Sequence, residues 1–283
     1  MQEFTFVVQQ ELNNCKAIDF LKANRFSDQI IQKVKFGGVF VNDNLLSNIN
    51  TRVNFGDTVK IVMPKDTPNQ YITPIKGDLK ILFEDDYILA VVKERGVLTH
   101  SSRSNNAISL EQLLCGYFAP QPFTFRPINR LDRDTSGIVL IAKDMLSASL
   151  FGELMKNGGI KKTYSAVVVG TPKEQHFFIE KPIKRQSESS MKRIVADDGK
   201  YAKSEVIFVK GLDGGLSLVD VILHTGRTHQ IRVHLSYVGF PLYADSLYGE
   251  KVENQSYFLH AKKLEFVHPF TLEQIALRNE LEI

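Results

Sequence analysis

The strongest constraint on the fold is a series of short β-type runs that fills most of the chain beyond residue 78. Apolar and polar residues alternate, or β-branched residues cluster, in LKILFED, YILAVVK, GIVLIAK, TYSAVVVG, SEVIFVK and LSLVDVILH. Two helical patterns interrupt these runs, at residues 109–118 and 145–157. Many strands with few helices predict an α+β fold with a mixed or antiparallel central sheet.

The first 64 residues form a separate pattern. Residues 16–35 have the apolar spacing of two short amphipathic helices with a break at Ser27, a favourable N-cap residue, and short strands with turn signals follow. Residues 65–77 contain prolines and little apolar periodicity, which is typical of a linker. We therefore predict a small α+β domain at 1–64, a linker at 65–77 and a larger domain at 78–283.

Composition narrows the class of protein and its compartment. The chain is 43% hydrophobic and 24% charged, as globular proteins are, and no apolar stretch is long enough to span a membrane. The N-terminus does not have the pattern of a signal peptide. Cys15 and Cys115 form neither a disulfide framework nor a zinc motif, so a reducing, cytoplasmic compartment is expected. Because no long apolar stripe is left over, we expect a monomer.

A charged stretch, INRLDRDTSG at residues 128–137, precedes one of the apolar runs. Such a stretch is compatible with a solvated loop and with a catalytic loop. It also fits the D-x-D-x-T pattern of magnesium-dependent phosphotransferases. Those enzymes place a buried apolar strand before the first aspartate, whereas here the apolar run follows the motif. This order argues against that alternative.

A second stretch, TGRTHQIRVH at residues 225–234, concentrates basic and amide side chains. These side chains include Arg227, His229, Gln230 and Arg232. The apolar residues between them predict that one side of the segment is buried, so that Arg232 reaches inward and needs a carboxylate partner. The charged stretch can supply that carboxylate through Asp132 or Asp134. An aspartate that an arginine keeps ionised can act as a nucleophile or a general base.

Two further segments suit a nucleic-acid partner. In KKTYSAVVVG, at residues 161–170, Lys162 and Tyr164 share one face of a predicted strand. A tyrosine that faces a pocket offers a ring for stacking on a base, although a tyrosine on a sheet is more often structural. Residues 181–203 hold seven basic and three acidic side chains, an excess larger than the net charge of +3 for the whole chain. Such a segment is either a solvated loop or a contact for a phosphate backbone.

Taken together, four motifs resemble those of the RluA-type pseudouridine synthases. They are RLDRDTSG, KKTYSAVVVG, TGRTHQIRVHL followed by PLYADSLYG, and YFLHAKKLEFVHP, in family order across roughly residues 79–270. Residues 1–64 more loosely resemble the small RNA-binding domain named after ribosomal protein S-four. The resemblance implies the pseudouridine synthase catalytic fold, with a central mixed or antiparallel sheet, preceded by a small α+β RNA-binding domain.

The resemblance also implies an activity and its residues. The expected reaction converts specific uridines of structured RNA, either large-subunit ribosomal RNA or transfer RNA, to pseudouridine without a cofactor or metal. The essential aspartate of the family falls on Asp132, its active-site aromatic residue on Tyr164, and the arginine that pairs with the aspartate on Arg232. The residues expected to bind substrate are Arg130, Lys162, Arg227, His229, Gln230 and Leu259.

Two positions depart from the family pattern. Asn129 stands where a histidine often precedes R-L-D, and KERG at 93–96 replaces K-P-x-G. Neither position carries the core chemistry. An alternative function is that of a non-catalytic RNA-binding or ribosome-assembly protein with the same fold. The joint presence of Asp132, Tyr164 and Arg232 argues against it, because such a protein has no physical need for all three.

The other aspartate of the charged stretch, Asp134, is predicted to have a structural role. Asp134 has no arginine or aromatic partner that the motifs can name, so it is expected to shape the turn. Thr135 and Ser136 are expected to hydrogen-bond the local backbone there.

Overall fold

The computed structural model of the protein describes residues 2–63, 71–102 and 107–281. The helices are α1 (Ala17–Ala23), α2 (Asp28–Val34), α3 (Leu110–Phe118), α4 (Met145–Lys156) and α5 (Gln230–Tyr237). The strands are β1 (Gln2–Val7), β2 (Cys15–Lys16), β3 (Val39–Val41), β4 (Asn44–Leu45), β5 (Arg52–Val53), β6 (Thr58–Met63), β7 (Lys80–Glu84), β8 (Ile88–Lys93), β9 (Ser136–Ala142), β10 (Lys161–Val169), β11 (His176–Glu180), β12 (Ile183–Arg185), β13 (Arg193–Val195), β14 (Lys203–Leu212), β15 (Leu216–Leu223), β16 (Leu259–Val267) and β17 (Gln274–Arg278). Residues 65–70 of the predicted linker lie outside the described residues.

The N-terminal unit has its own four-stranded sheet, in the order β1-β6-β3-β4. The two helices predicted to break near Ser27 are α1 and α2, and the Ser27 side chain accepts a hydrogen bond from the backbone N–H of Ile30 at the start of α2. The core of this unit also includes Leu146 and Leu150 of α4. The N-terminal unit therefore packs directly against the rest of the chain through α4.

The central sheet has nine strands. Their order is β11-β14-β15-β10-β16-β9-β8-β7, with β17 paired to the free part of β16. The β9–β16 pair is parallel, and the other described pairs of this sheet are antiparallel. The sheet is therefore mixed, and with its few helices the fold is α+β, as the sequence predicts. Within the described residues, no helix is long and apolar enough to cross a membrane.

The parallel pairing of β9 and β16 depends on a glycine. Gly137 has a φ of +115°, and a Cβ atom at this position would collide with the backbone of Ala261. Only a residue without a side chain allows the two strands to approach this closely. The loop that precedes β9 is thereby brought beside Leu259, the first residue of β16.

The structure defines the local conformation of the two basic segments singled out in the sequence. The basic segment 181–203, considered as a loop, contains the hairpin of β12 and β13, in which Ile183 pairs with Val195. In the second segment, TGRTHQIRVH, the residues from Gln230 onward form the start of α5. His229 at the N-cap has φ 56° and ψ 20°, a left-handed conformation that turns the chain into the helix.

Candidate active site

The charged loop before β9 is fixed from both sides by buried polar groups. The side chain of Asn129 donates to the Ile138 carbonyl at 3.0 Å and accepts from the Leu140 N–H at 2.8 Å, which ties the loop to β9. From the other side, the Lys93 Nζ atom donates to the Arg133 carbonyl at 3.0 Å. Asn129, which departs from the family pattern, and Lys93, which matches the lysine of its K-P-x-G segment, therefore both hold the loop in place.

Lys93 is an unusual anchor because it is almost fully buried and forms no ion pair within the described part of the chain. Its side chain is fixed by three backbone carbonyls, those of Glu94 at 2.9 Å, Val97 at 2.7 Å and Arg133 at 3.0 Å. These three acceptors match the three N–H bonds of an ammonium group. Burial nevertheless lowers the pKa of Lys93 to about 8.

The loop presents Asp132 to a small pocket. The pocket has a volume of about 80 Å³, and Tyr164, Arg232 and Leu259 line it together with Asp132. Asp132 and Tyr164 also line a wider cleft of about 550 Å³, and Lys162 lies in the wall of that cleft. The structure therefore brings the three predicted catalytic residues together at the end of an open cleft.

Arg232 lies between two aspartates. Its Nη1 atom is 3.3 Å from Oδ2 of Asp132, whereas its Nε and Nη2 atoms donate to the two oxygens of Asp245 at 2.7 and 2.8 Å. The rings of Tyr248 and Tyr257 lie 4.9 and 4.5 Å from the guanidinium carbon. The inward-pointing arginine expected from the sequence is present, but its bidentate partner is Asp245, and the contact with Asp132 is the weaker of the two.

Tyr164 extends from the middle of the sheet. It lies on β10, paired with Val221 of β15 and Ala261 of β16, and only 6% of its surface is exposed. Burial, reinforced by the negative charge of Asp132, raises the pKa of Tyr164 well above its usual value. The side chain is therefore a neutral phenol at physiological pH.

His229 approaches Asp132 from the other side of the pocket. Its Nε2 atom is 3.7 Å from Oδ2 of Asp132, and its Nδ1 atom is 2.8 Å from the Tyr248 hydroxyl. That hydroxyl accepts a hydrogen bond from the backbone N–H of Arg193 at 2.8 Å, so its own proton is available for Nδ1. This order of donors favours the tautomer with the proton on Nε2, facing the carboxylate. Burial lowers the pKa of His229, which keeps the ring neutral.

The residues expected to bind substrate all line the pocket or the cleft, but they differ in exposure and in their hydrogen-bond partners. Arg130 and Arg227 are exposed at the mouth, and Leu259 is buried in the wall. Gln230 is buried, and its amide bonds to four protein groups, so that it holds the turn that precedes α5. Lys162 is buried in the cleft, where burial lowers its pKa. Within the described ranges, no carboxylate is close enough to form an ion pair with Lys162.

Asp134 points away from this site. The guanidinium of Arg133 donates to both of its oxygens at 3.1 Å, and Asp134 does not line the pocket. The expectation for its neighbours was wrong. The hydroxyls of Thr135 and Ser136 do not bond the local backbone but contact Tyr257 and His260, at 3.4 and 2.9 Å. The parallel pairing of β9 with β16 puts these side chains against the chain around the start of β16.

Sequence reasoning missed four residues that shape the site. They are Lys93, Asp245, Tyr248 and Tyr257. Asp245 and Tyr248 belong to the quoted motif PLYADSLYG, and one signal was available there. A buried arginine that can form a bidentate pair requires a carboxylate that is itself buried, and a motif with a single aspartate next to apolar residues offers one. Among the residues that the structure describes, no group of three or more histidine, cysteine or acidic side chains is arranged to hold a metal ion.

Comparison with known proteins defines the class. The family model for RNA pseudouridylate synthase matches residues 87–237. The uncharacterized RNA pseudouridine synthase YjbO of Bacillus subtilis is 33% identical, over 88% of this chain and 89% of its own length. The fold and the comparisons thus define an RNA-modifying isomerase. The chain belongs to the RNA pseudouridylate synthase family, and its resemblance to the RluA-type enzymes is confirmed.

Two other relatives carry names that specify an RNA. Ribosomal large subunit pseudouridine synthase D of Zymomonas mobilis is 32% identical, over 79% of this chain and 75% of its own length. The mitochondrial tRNA pseudouridine(32) synthase of Saccharomyces cerevisiae is 32% identical, over 80% of this chain and 48% of its own length. Among solved structures, human RNA pseudouridylate synthase domain containing 1 superposes with a TM-score of 0.62 at 26% identity, covering 72% of this chain and 83% of that one.

Proposed function

We propose that this pseudouridine synthase uses Asp132 as its essential carboxylate and acts on specific uridines of large-subunit ribosomal RNA. The observation that carries the first part is that Asp132 lines one pocket with Tyr164 and Arg232, with its carboxylate 3.3 Å from the Arg232 guanidinium. The choice of RNA is supported by the relative named for the large ribosomal subunit, which matches over three quarters of its own length. The relative named for tRNA matches over less than half of its length.

The reaction sets the requirements for the site. It breaks the N1–C1′ bond of uridine, joins C1′ to C5, and moves the proton from C5 to the ring nitrogen, so that no atom is gained or lost. A duplex hides these atoms, so the target base must be flipped out or already lie in a loop. Unstacking costs on the order of a few kcal/mol, which stacking on the Tyr164 ring offsets.

Asp132 acts as an ionised carboxylate. It either attacks the nucleotide covalently or abstracts a proton to give a glycal-like intermediate, and both routes need the charged form. Its side chain is 35% exposed and becomes more desolvated when RNA binds, and the neighbouring guanidinium of Arg232 offsets that cost. Arg232 and His229 both approach Oδ2, so we assign Oδ1 to the substrate.

Tyr164 acts as a neutral aromatic platform. Because burial raises the pKa of Tyr164, its phenol keeps its proton and stays uncharged while its ring stacks on the base. At the mouth of the cleft, Arg130 and Arg227 hold the flanking phosphates. Lys162 joins them, because a buried ammonium without an ion pair gains most from an anion.

The N-terminal unit, residues 1–64, acts as an S-four-like RNA-binding domain, joined through residues 65–77 to the catalytic domain at 78–283. Its own sheet supports this division. An exposed aromatic and basic surface supports RNA binding, since Phe36 is largely exposed and the Lys35 ammonium lies 4.6 Å from the centre of its ring. Such rings stack on unpaired bases, and lysines contact phosphates.

The proposal is tested in cells. Pseudouridine is mapped in the RNA of a strain without the gene and in the same strain complemented with the wild-type gene or with Asp132→Asn. The expected result is the loss of one or more pseudouridines from large-subunit ribosomal RNA, restored by the wild-type gene and not by the variant. Loss from transfer RNA alone would overturn the choice of RNA. An unchanged map would favour the alternative, a non-catalytic RNA-binding or ribosome-assembly protein.

A further inference from the structure

A second cleft lies beside the catalytic cleft and shares a wall with it. It has a volume of about 590 Å³ and lies between the β12–β13 hairpin and the turn at residues 226–228. The same turn forms part of the wall of the catalytic cleft. A chain that leaves the catalytic cleft over this turn therefore enters the second cleft directly.

The lining of the second cleft is strongly basic. Besides Arg227 of the shared turn, it includes Lys184, Arg185, Arg193 and Lys200. Asp198 is the acidic residue among the residues that line it, and it pairs with Lys184 at 2.7 Å. Within the ranges that the structure describes, the Arg193 and Lys200 side chains form no ion pair. The cleft therefore presents an excess of positive charge that the described protein groups leave uncompensated.

Hydrogen bonds of the backbone fix the segments that carry these cations. Ile183 and Lys200 exchange two backbone hydrogen bonds of 2.9 Å each, and the Arg193 N–H donates to the Tyr248 hydroxyl at 2.8 Å. Gly199 allows the close approach, since a Cβ atom there would lie 2.7 Å from the Ile183 carbonyl carbon. A solvated loop would not need these backbone hydrogen bonds or the close approach at Gly199. The backbone segments that carry these cations are thus fixed around one cleft, which favours recognition of an extended anion.

We propose that this second basic cleft binds the phosphodiester backbone of the RNA strand on one side of the target uridine. This inference rests on the proposed function, because it continues the strand from the catalytic cleft across the turn at 226–228. Lysine and arginine contacts with phosphates carry little sequence information. The cleft therefore contributes affinity and register, and the choice of uridine depends on other parts of the enzyme.

The test measures the salt dependence of RNA binding. The probe is a 3′-labelled oligouridylate of about 20 nucleotides, because phosphate contacts are independent of sequence. Its dissociation constant is measured from 50 to 300 mM KCl for the full-length wild-type protein, for Lys200→Gln, and for Arg193→Gln/Lys200→Gln. The matched control is Lys173→Gln/Lys210→Gln, which removes the same charge beyond β10 and near the end of β14, at the far ends of these strands from the cleft.

Each lost phosphate contact should reduce the slope of log K against log[salt] by about 0.7. The expected reduction is therefore about 0.7 for Lys200→Gln and about 1.4 for the double variant, which also binds roughly tenfold more weakly at 150 mM salt. The control should keep the wild-type slope. A slope in both cleft variants equal to that of the wild type would overturn the proposal, and so would an equal reduction in the control.

The single variant keeps the test decisive if the double variant does not fold, because the exposed Lys200 side chain makes no ion pair within the described residues. Failure of this inference is also distinguishable from failure of the proposed function. The wild-type protein is assayed separately for pseudouridine formation in total RNA from the strain that lacks the gene. Formation of pseudouridine with unchanged slopes would overturn the cleft alone.

Discussion

The loop at residues 129–136 and the loop at residues 242–249 each present an aspartate to Arg232, but they hold it differently. Asp245 is completely buried and accepts two short hydrogen bonds from the guanidinium. The backbone N–H groups of Leu247 and Tyr248 also donate to it. Asp132 is one-third exposed and has a single contact of 3.3 Å with the same arginine.

Under the proposed function, the difference separates an anchoring carboxylate, Asp245, from a reactive one, Asp132. Asp245 uses its acceptor capacity within the protein, so it fixes the position and charge of Arg232. The positive charge of Arg232 stabilises the ionised form of Asp132, while one oxygen of that carboxylate stays available to the substrate. A carboxylate that is satisfied by the protein is a poor nucleophile, and the site divides the two tasks between two loops.

The largest expected effect on stability belongs to the anchoring side. Asp245→Asn removes the charge that compensates the buried guanidinium of Arg232. The free energy of unfolding, measured by urea denaturation, should fall by about 3 kcal/mol or more, because a buried cation is left uncompensated. Asp132→Asn should change it by less than about 1 kcal/mol, because that carboxylate is partly solvated. Equal effects of the two substitutions would remove the distinction between the loops.

A second prediction concerns Lys93, which anchors the loop of Asp132. Its folded-state pKa of about 8 lies below the unfolded value near 10.4, so the folded protein binds fewer protons between these pH values. The contribution of Lys93 to stability should therefore rise with pH across this window, by up to about 3 kcal/mol. The comparison is between urea denaturation of wild type and Lys93→Met from pH 7.5 to 10. The wild type should gain stability relative to the variant as pH rises, and a constant difference would contradict the account.

A smaller effect is expected from the tyrosines that flank Arg232. Tyr248→Phe keeps the ring but removes the hydroxyl between the Arg193 N–H and His229, so the orientation of the histidine toward Asp132 is no longer fixed. We expect kcat to fall roughly tenfold, equivalent to the net value of about one hydrogen bond. The matched control is Tyr257→Phe, which removes a longer contact of 3.4 Å and should change kcat by less than about twofold. A loss of kcat in Tyr257→Phe as large as that in Tyr248→Phe would contradict a specific role of the Tyr248 hydroxyl in orienting His229.

The central sheet could be predicted from the sequence because its strands carry their own signal. The runs that became β7 to β10, β14 and β15 have buried, β-rich patterns, and α3 and α4 have helical spacing. The hairpin of β12 and β13 could not be predicted in the same way. Its strands have three residues each, and charged residues obscure the period of two. Short strands of this kind are specified by contacts with the rest of the fold.

The site shows the same limit. The inward orientation of Arg232 could be inferred from the apolar residues beside it, and the resemblance to a family selected Asp132 over Asp134. The bidentate pairing with Asp245 required knowledge of which face of α5 meets the loop at 242–249, and that is a property of tertiary packing. The anchoring role of Lys93 could not be predicted, because its three acceptors are backbone carbonyls that leave no pattern in the sequence.

The central claim is that Asp132, and not its neighbour two residues on, performs the chemistry. The most direct measurement is single-turnover formation of pseudouridine by purified wild type, Asp132→Asn and Asp134→Asn, with saturating enzyme on an RNA fragment that the wild type converts. Asp132→Asn should lose at least about 1,000-fold in rate, as expected when the reacting group itself is removed, and should bind the fragment with near wild-type affinity. Asp134→Asn should retain the rate within about threefold, because its exposed pair with Arg133 lies outside the pocket. Substantial activity in Asp132→Asn, or a comparable loss in Asp134→Asn, would contradict the account.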